Sequence, residues 1–384
     1  MILFLLILIP AGVYVWKRIY RKLWYRGLDA ELHFTENTVY AGEKAELTEV
    51  VSNRKRIPLS AVEIGFRIQK GVQFLDAENI VTSDFVYKRD IFSLRGMEAV
   101  TRRYHLECLK RGRYQISQVM LRTWSLLHVT QYEMEAYPVG EAMRFFETGT
   151  ESTDRGSEAE SETARAEELT VYARRVDVSG ILALCDTILG TAESSRRLYE
   201  DPFAFASIRE YSPRDPMKNI NWKASARMGG LMVNTYSSVR SEQFFIFLDV
   251  DDNGIWKEEE LLETCISTAA TLCQKLIRKG LEIGMAVNLD PPVIFEPKRG
   301  QEQLREIERF LTNDFSKAGM IPLEELAGLQ VKNKDRICVY ITKELKPERE
   351  ERLRSCSIGF LPSMIVEPVR ENGFVKLKIR RCWK

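Results

Sequence analysis

The residues with the most evident chemistry lie in one acidic loop, Asp249-Val250-Asp251-Asp252-Asn253-Gly254, with Glu260 a short way beyond. Asp249, Asp251, Asn253, Gly254 and Glu260 satisfy D-x-[DN]-x-[DN]-G-x5-E, which sets hard oxygen donors on alternate residues and ends in a carboxylate able to bind bidentately. That donor set suits Ca²⁺, or Mg²⁺ with fewer protein ligands. Two features pull the other way. A strand precedes the loop where the pattern usually has a helix, and Lys257 stands where an oxygen donor is common. The same acids also read as stabilisers of the positive end of a helix beginning near Lys257. Ser225, or Asp215 with Lys223, offers the pieces of an acid, base or nucleophile. No G-x-S-x-G elbow, P-loop or H-E-x-x-H accompanies them, and His33, His105 and His128 all lie in the N-terminal half. The expectation is a protein that is not an enzyme. A metal-dependent hydrolase using Asp249, Asp251 and Asp252 is the alternative.

The loop must be held by the elements around it. Gln243 to Val250 is a continuous apolar strand, Glu258 to Lys279 a long helix and Leu281 to Asn288 a second apolar strand. Helices are expected over Gln301 to Leu311, Leu323 to Leu329 and Glu348 to Cys356, with strands at Arg336 to Thr342, Met364 to Val369 and Gly373 to Ile379. Apolar strands alternating with helices imply a mostly parallel sheet covered on both faces. Ligands of such sheets bind beyond the carboxyl ends of the strands, where Asp249 falls.

Upstream, Ser207 to Tyr236 reads as a short extended piece, a turn, a compact helix and a strand beginning at Leu231. Asp215-Pro216 is a helix-start signal, and Gly229-Gly230 supplies the positive φ that closes a helix. Arg209, Arg214, Lys218, Lys223 and Arg227 surround Trp222, a pattern fitting packed ion pairs, an anion-facing surface or solvated side chains. The segment is expected to dock at the edge or entry of the α/β domain, with Trp222 as a packing anchor and the basic side chains outward.

Lysine plus arginine (56) nearly cancels aspartate plus glutamate (55), so no overall field points to nucleic acid. Seven scattered cysteines without C-x-x-C spacing suggest buried free thiols. Met1 to Trp16 is almost wholly apolar, and Lys17, Arg18, Arg21, Lys22 and Arg26 follow it, among Trp16, Tyr20, Trp24 and Tyr25. Positive charge after the apolar run is the wrong order for a cleaved signal peptide and the right one for an anchor with its following domains in the cytoplasm. Asp29 to Tyr137 alternates in short β runs separated by turns, as in an immunoglobulin-like sandwich. Glu147 to Glu168 carries eight acids against two arginines, a composition expected of a flexible loop.

The run Arg209-Glu210-Tyr211, Asp215 and Asn219-Ile220-Asn221-Trp222-Lys223-Ala224-Ser225-Ala226-Arg227 resembles the signature of the MoxR-associated domain-of-unknown-function family fifty-eight, bacterial membrane-anchored proteins. Arg111-Gly112-Arg113-Tyr114 is similar to that family's RGxY turn. The family usually has Gly-Asp where this chain has Arg214-Asp215, and commonly two membrane helices where this chain has one. The resemblance implies a von Willebrand factor A-like C-terminal domain and association with a MoxR-type AAA+ ATPase. In A-type domains the loop at Asp249 carries D-x-S-x-S. Here Asp251 and Asn253 replace both serines, and Thr342-Lys343-Glu344 replaces a Thr-Asp-Gly, which argues against an adhesion-type Mg²⁺ site.

The expected architecture is therefore α+β and multidomain: a membrane anchor with its basic flank over 1–25, a β-sandwich over 26–140, an acidic insertion over 141–168, and the signature with the A-like α/β domain over 169–384. The expected role is interaction or assembly at the cell membrane, with a protein partner rather than a small-molecule substrate. The expected distinctive residues are Arg209, Tyr211, Asp215, Asn221, Trp222, Lys223 and Arg227.

Overall fold

The computed structural model describes residues 2–24, 26–75, 80–82, 85–124, 131–139, 142–147, 168–196, 205–213, 215–236, 243–252, 258–330, 336–356, 363–371 and 373–381. The acidic run at 148–167, Arg214 and Asn253 lie outside these residues. The chain divides into two compact units, Met1–Arg174 with Leu311–Asp314, and Arg175–Phe310 with Phe315–Lys384.

The first unit opens on helix α1 (Ile2–Leu23), and its other regular elements among the described residues are β-strands. A four-stranded sheet runs Leu28–Phe34, Lys44–Asn53, Glu98–Cys108, Val72–Phe74. A six-stranded sheet runs Ala142–Glu147, Gln131–Val139, Ser117–Trp124, Leu59–Gln69, Phe85–Leu94, Ile80–Thr82. Alternation sets one face of each strand inward. Ala30, Leu32 and Leu47 from one sheet and Val62, Ile64 and Leu121 from the other belong to a single apolar core.

The strand Glu168–Tyr172 pairs parallel with Thr38–Tyr40 and antiparallel with Gly112–Gln115. Its Leu169 and Val171 are fully buried in the same core. The boundary expected at 169 therefore moves to 174, because this strand finds its ladder partners in the β unit. The β unit likewise runs past 140, since Ala142–Glu147 completes a hairpin with Gln131–Val139.

One polar cluster interrupts the β unit. The Tyr104 hydroxyl is 3.0 Å from Glu49 Oε2 and donates to Asp90, which also takes Lys88 at 2.6 Å and Arg102 at 3.2 Å. One hydroxyl proton cannot serve two carboxylates at once, so Glu49 is left short of a donor whenever Tyr104 donates to Asp90. Burial pushes the Glu49 carboxyl up to about 7, with Tyr104 and Arg102 opposing the rise. A carboxyl raised on folding is held protonated in the folded chain at pH values where the unfolded chain has released its proton. Stability is then greatest below the unfolded pKa and falls as pH rises from about 4.5 to about 7. Glu49→Gln should flatten this fall and stabilise the unit at pH 8 by on the order of 3 kcal/mol. Urea unfolding at pH 5 and pH 8 measures it, and an equal pH dependence in both proteins would show that Glu49 stays ionised.

In the second unit the sheet order is Val293–Lys298, Glu282–Val287, Gln243–Leu248, Arg336–Ile341, Met364–Glu371, Phe374–Arg381. The four inner strands are parallel and the two edges antiparallel. Beyond α2 (Ser179–Arg196) and α3 (Trp222–Met228), the helices are α4 (Glu259–Arg278), α5 (Gln301–Phe310), α6 (Leu323–Gln330) and α7 (Pro347–Cys356). Phe245, Phe247, Tyr340 and Ile365 of the sheet form one cluster with Leu323 and Leu326 of α6 and Leu353 of α7. The long helix α4 buries Cys265, Ile266, Ala269, Leu272, Cys273 and Leu276 completely or nearly so. The inner strands, the last strand and α4 to α7 fall within a few residues of the bounds expected from the sequence. The edge strand Val293–Lys298 was not anticipated.

Cys108, Cys185, Cys265, Cys273 and Cys338 are free and buried. Burial holds their thiols protonated, pushing Cys108 to about 11 and Cys185 and Cys338 to about 12.

Candidate functional site

Two places in the second unit gather the residues singled out above. The first is the carboxyl end of the sheet. From Gln243–Leu248 the chain moves outward to Glu282–Val287 on one side and later to Arg336–Ile341 on the other, so the strand order reverses at the end of Gln243–Leu248. Asp249 follows that strand directly and is 2% exposed. Its Oδ1 accepts from Asn288 Nδ2 at 2.7 Å and from the Asp251 amide at 3.1 Å. Its Oδ2 accepts from the Thr342 hydroxyl at 2.8 Å and lies 2.9 Å from the Arg349 guanidinium. Arg349 in turn holds Glu324 through Nε at 3.1 Å. Asn288, itself fully buried, returns its carbonyl oxygen to the Val250 amide at 2.8 Å.

Asp249 is thus the hub of a closed network in which Arg349, from the first turn of α7, supplies the positive charge. The neighbouring acids have other partners. Asp252 pairs with Lys343 and accepts the Glu258 amide at 3.4 Å, ahead of α4. Glu260 is exposed and pairs with Arg370. The calcium-loop spacing therefore does not bring Glu260 to Asp249. Among the described residues no three His, Cys, Asp or Glu side chains converge as a metal centre. Lys343, an anomaly in the sequence, acts as the counter-charge of Asp252. Asn288 and Arg349 were missed because they lie far along the chain from Asp249 and carry no local motif.

The second place is the signature. Phe205–Glu210 and Met232–Tyr236 pair antiparallel into a two-stranded sheet of their own, distinct from the six-stranded one. The expected docking along the edge of that sheet does not occur as strand pairing, because Met232–Tyr236 uses its ladder on Phe205–Glu210 and a bridge between Val233 and Ile220. Between the strands lie a 3₁₀ turn at Met217–Asn219 and α3.

Asp215 does not cap this helix. Its carboxylate takes Arg209 in a two-pronged pair at 2.7 and 2.5 Å and accepts the Ser212 amide at 2.8 Å. Those donors hold the carboxyl below its ordinary range, the Arg209 bond contributing most. Pro216 precedes the 3₁₀ turn, and the helix start shifts to Asn221, whose Oδ1 accepts the Ala224 amide at 3.0 Å. Asn221 Nδ2 also donates to Asn234 at 2.8 Å. Ser225 Oγ donates to the Asn221 carbonyl and accepts the Met232 amide, both at 2.8 Å, tying α3 to the second strand. Gly229 closes the helix in the left-handed region at φ 70°, as its sequence position predicts.

The signature residues thus fall into two groups. Arg209, Asp215 and Asn221, with Ser225, hold the hairpin together, and the Tyr211 amide donates to the Leu231 carbonyl at its neck. Trp222, Lys223 and Arg227 face solvent. Trp222 is 65% exposed, so the packing role expected for it is not seen, and Met217 and Met228 of the same segment are exposed as well. Lys218, Lys223 and Arg227 make no ion pair among the described residues.

Residues 207–358 match the family described as protein of unknown function DUF58, a span that takes in the Asp249 network and all but the first two residues of the hairpin. The chain is 21% identical over 318 residues to the uncharacterized protein YeaD of Bacillus subtilis (strain 168), covering 82% of this chain and 70% of that protein. Among solved structures, a non-cellulosomal cohesin from the archaeon Archaeoglobus fulgidus is similar at 6% identity and TM-score 0.20, over 26% of this chain and 80% of that one. A GH20 exo-β-N-acetylglucosaminidase from Vibrio harveyi is similar at 8% identity and TM-score 0.19, over 28% of this chain and 17% of that one. Structural likeness at this level carries no argument about function.

Proposed function

We propose that this chain is a membrane-tethered interaction and assembly factor, without catalytic activity, that works with a MoxR-type AAA+ ATPase. The observation that carries the reading is the build of the signature hairpin. Its internal polar groups brace a small scaffold while Trp222, Lys223 and Arg227 remain in solvent, an arrangement suited to contact with another protein. The Asp249 cluster supports the same reading by contrast, since Arg349, Asn288, Thr342 and the Asp251 amide already use both carboxylate oxygens. That leaves the metal-dependent hydrolase with less support.

In this reading the α/β unit is von Willebrand factor A-like and the β unit immunoglobulin-like. Helix α1 is the anchor, with the units that follow on the cytoplasmic side. Among the described residues no helix is long and apolar enough to cross a membrane. The anchor rests instead on the apolar run Met1 to Trp16, its basic flank, and the exposure of Val13, Tyr14, Val15, Trp16 and Ile19 on one helix.

The triple variant Trp222→Ala, Lys223→Glu, Arg227→Glu should unfold within about 0.5 kcal/mol of the parent chain, because these side chains are exposed. It should nevertheless lose the ATPase that the parent chain retains on affinity purification from native membranes. A folded variant that keeps the ATPase would assign the interface elsewhere.

A further inference from the structure

We infer that the end of the β unit beside α1 is a collar for anionic phospholipid headgroups, formed by Arg54, Arg56 and Arg95 around Met97. The inference rests on the reading of α1 as the membrane anchor. Tyr20, in its last turn, and Trp24, just past its end, are buried in the β unit at 3% and 2% exposure. The Tyr20 hydroxyl donates to the Trp124 carbonyl at 3.3 Å, and the Tyr132 hydroxyl to the Lys17 carbonyl at 3.2 Å. A small cavity of about 30 Å³ is lined by Trp16, Ile19 and Tyr20 of the helix, by Trp24 just beyond it, and by Lys55 and Ile57 of a loop. The β unit therefore reaches along the helix as far as Trp16, where the apolar run ends and the basic flank begins. A tryptophan followed by lysine and arginine marks the headgroup level, so the loop that meets Trp16 lies at that depth.

Two loops share this end and are clamped together. Asn53, 1% exposed, donates through Nδ2 to the Ile57 carbonyl at 3.0 Å and to the Arg95 carbonyl at 2.8 Å. The Met97 amide donates to the Lys55 carbonyl at 2.9 Å. The backbones approach so closely at Gly96 that a Cβ there would lie 2.2 Å from the Arg56 carbonyl oxygen. Lys55 itself reaches back to the Trp24 carbonyl. The clamp presents Met97 at 70% exposure with φ 61°, a conformation that residues other than glycine seldom take.

The charges around Met97 have one sign in excess. Arg56 and Arg95 are exposed and make no ion pair among the described residues. Arg54 shares Asp29 at 2.8 Å while remaining 71% exposed. Glu98, the acid that opens the strand after the turn, accepts the Arg95 amide. A guanidinium fork matches a phosphodiester, and an exposed methionine in the same pair of clamped loops offers an apolar tip to the acyl boundary. The ligand is thus an anionic phospholipid such as phosphatidylglycerol rather than a zwitterionic one.

The test uses the full chain reconstituted in bilayers of phosphatidylcholine with phosphatidylglycerol, with the lipids retained after extraction counted by native mass spectrometry. The parent chain should prefer phosphatidylglycerol. Arg54→Gln, Arg56→Gln, Arg95→Gln should reduce that preference by about fivefold per arginine, on the order of a hundredfold for all three. The corresponding lysine variant, which keeps the charge and lacks the fork, should lose much less. Equal preference in the parent and glutamine chains, both folded by circular dichroism, would overturn the collar. Alkaline carbonate extraction separates the two claims: release of the parent chain refutes the anchor, whereas retention with no lipid preference refutes the collar alone.

Discussion

Arg349→Met should destabilise the α/β unit by about 3 kcal/mol or more. The variant removes the counter-charge of a carboxylate that is 2% exposed and leaves that carboxylate with neutral donors from Asn288, Thr342 and the Asp251 amide. Breaking one side of a buried pair costs more than the pair contributes, because the remaining charge is still away from water. Asp249→Asn in the Arg349→Met background should therefore recover most of the loss. Urea unfolding of the single and double variants measures the coupling. Millimolar Mg²⁺ or Ca²⁺ should not rescue the single variant, since the acids near Asp249 are not gathered around an open position. Rescue would mean that Asp249 and Asp251 form a cation site once the guanidinium has gone. A loss below about 1 kcal/mol would mean that the network does not carry the weight assigned to it.

Trp24→Ala should cost the β unit about 3–5 kcal/mol, the range for truncating a large aromatic in a packed core. The indole is 2% exposed, its ring stacks with Tyr132 at 6.2 Å between centroids, and it fixes the last turn of α1 to the unit that follows. Guanidinium unfolding of the full chain in detergent gives the magnitude. Limited proteolysis should also show new cleavage after α1, because the helix would lose its main seat in the core. An unchanged midpoint would show that α1 is joined to the β unit by chain connectivity alone.

The parts legible in the sequence are those with a local physical signal. Phe244 to Leu248 is buried on both sheet faces and reads as an unbroken apolar run. The helix α4 was marked by apolar residues at helical spacing, and Gly229 by its place after Met228. Val293–Lys298 was missed because Pro292 and Pro297 punctuate it and its side chains alternate between partial and full exposure, a pattern tolerated at an edge strand. Asp215-Pro216 carried a genuine start signal, yet Arg209 and Ser212 claim the carboxylate, and Asn221 caps the helix instead. The acids at Asp249 and Asp251 were equally visible, but their chemistry is decided by Asn288, Thr342 and Arg349. Those residues are brought in by strand order, which spacing along the chain cannot express. Trp222 illustrates the same limit, since its type favours burial and its exposure follows from a hairpin that pairs with itself.

The most direct test of the account is a calorimetric titration of the full chain, reconstituted in a bilayer disc, with a purified MoxR-type ATPase in its ATP-bound and ADP-bound forms. Saturable binding to at least one nucleotide form is expected, weakened by about tenfold or more in the Trp222→Ala, Lys223→Glu, Arg227→Glu chain. No binding by the parent chain, or equal affinity for a folded variant, would contradict the assignment of the signature hairpin as the interaction surface.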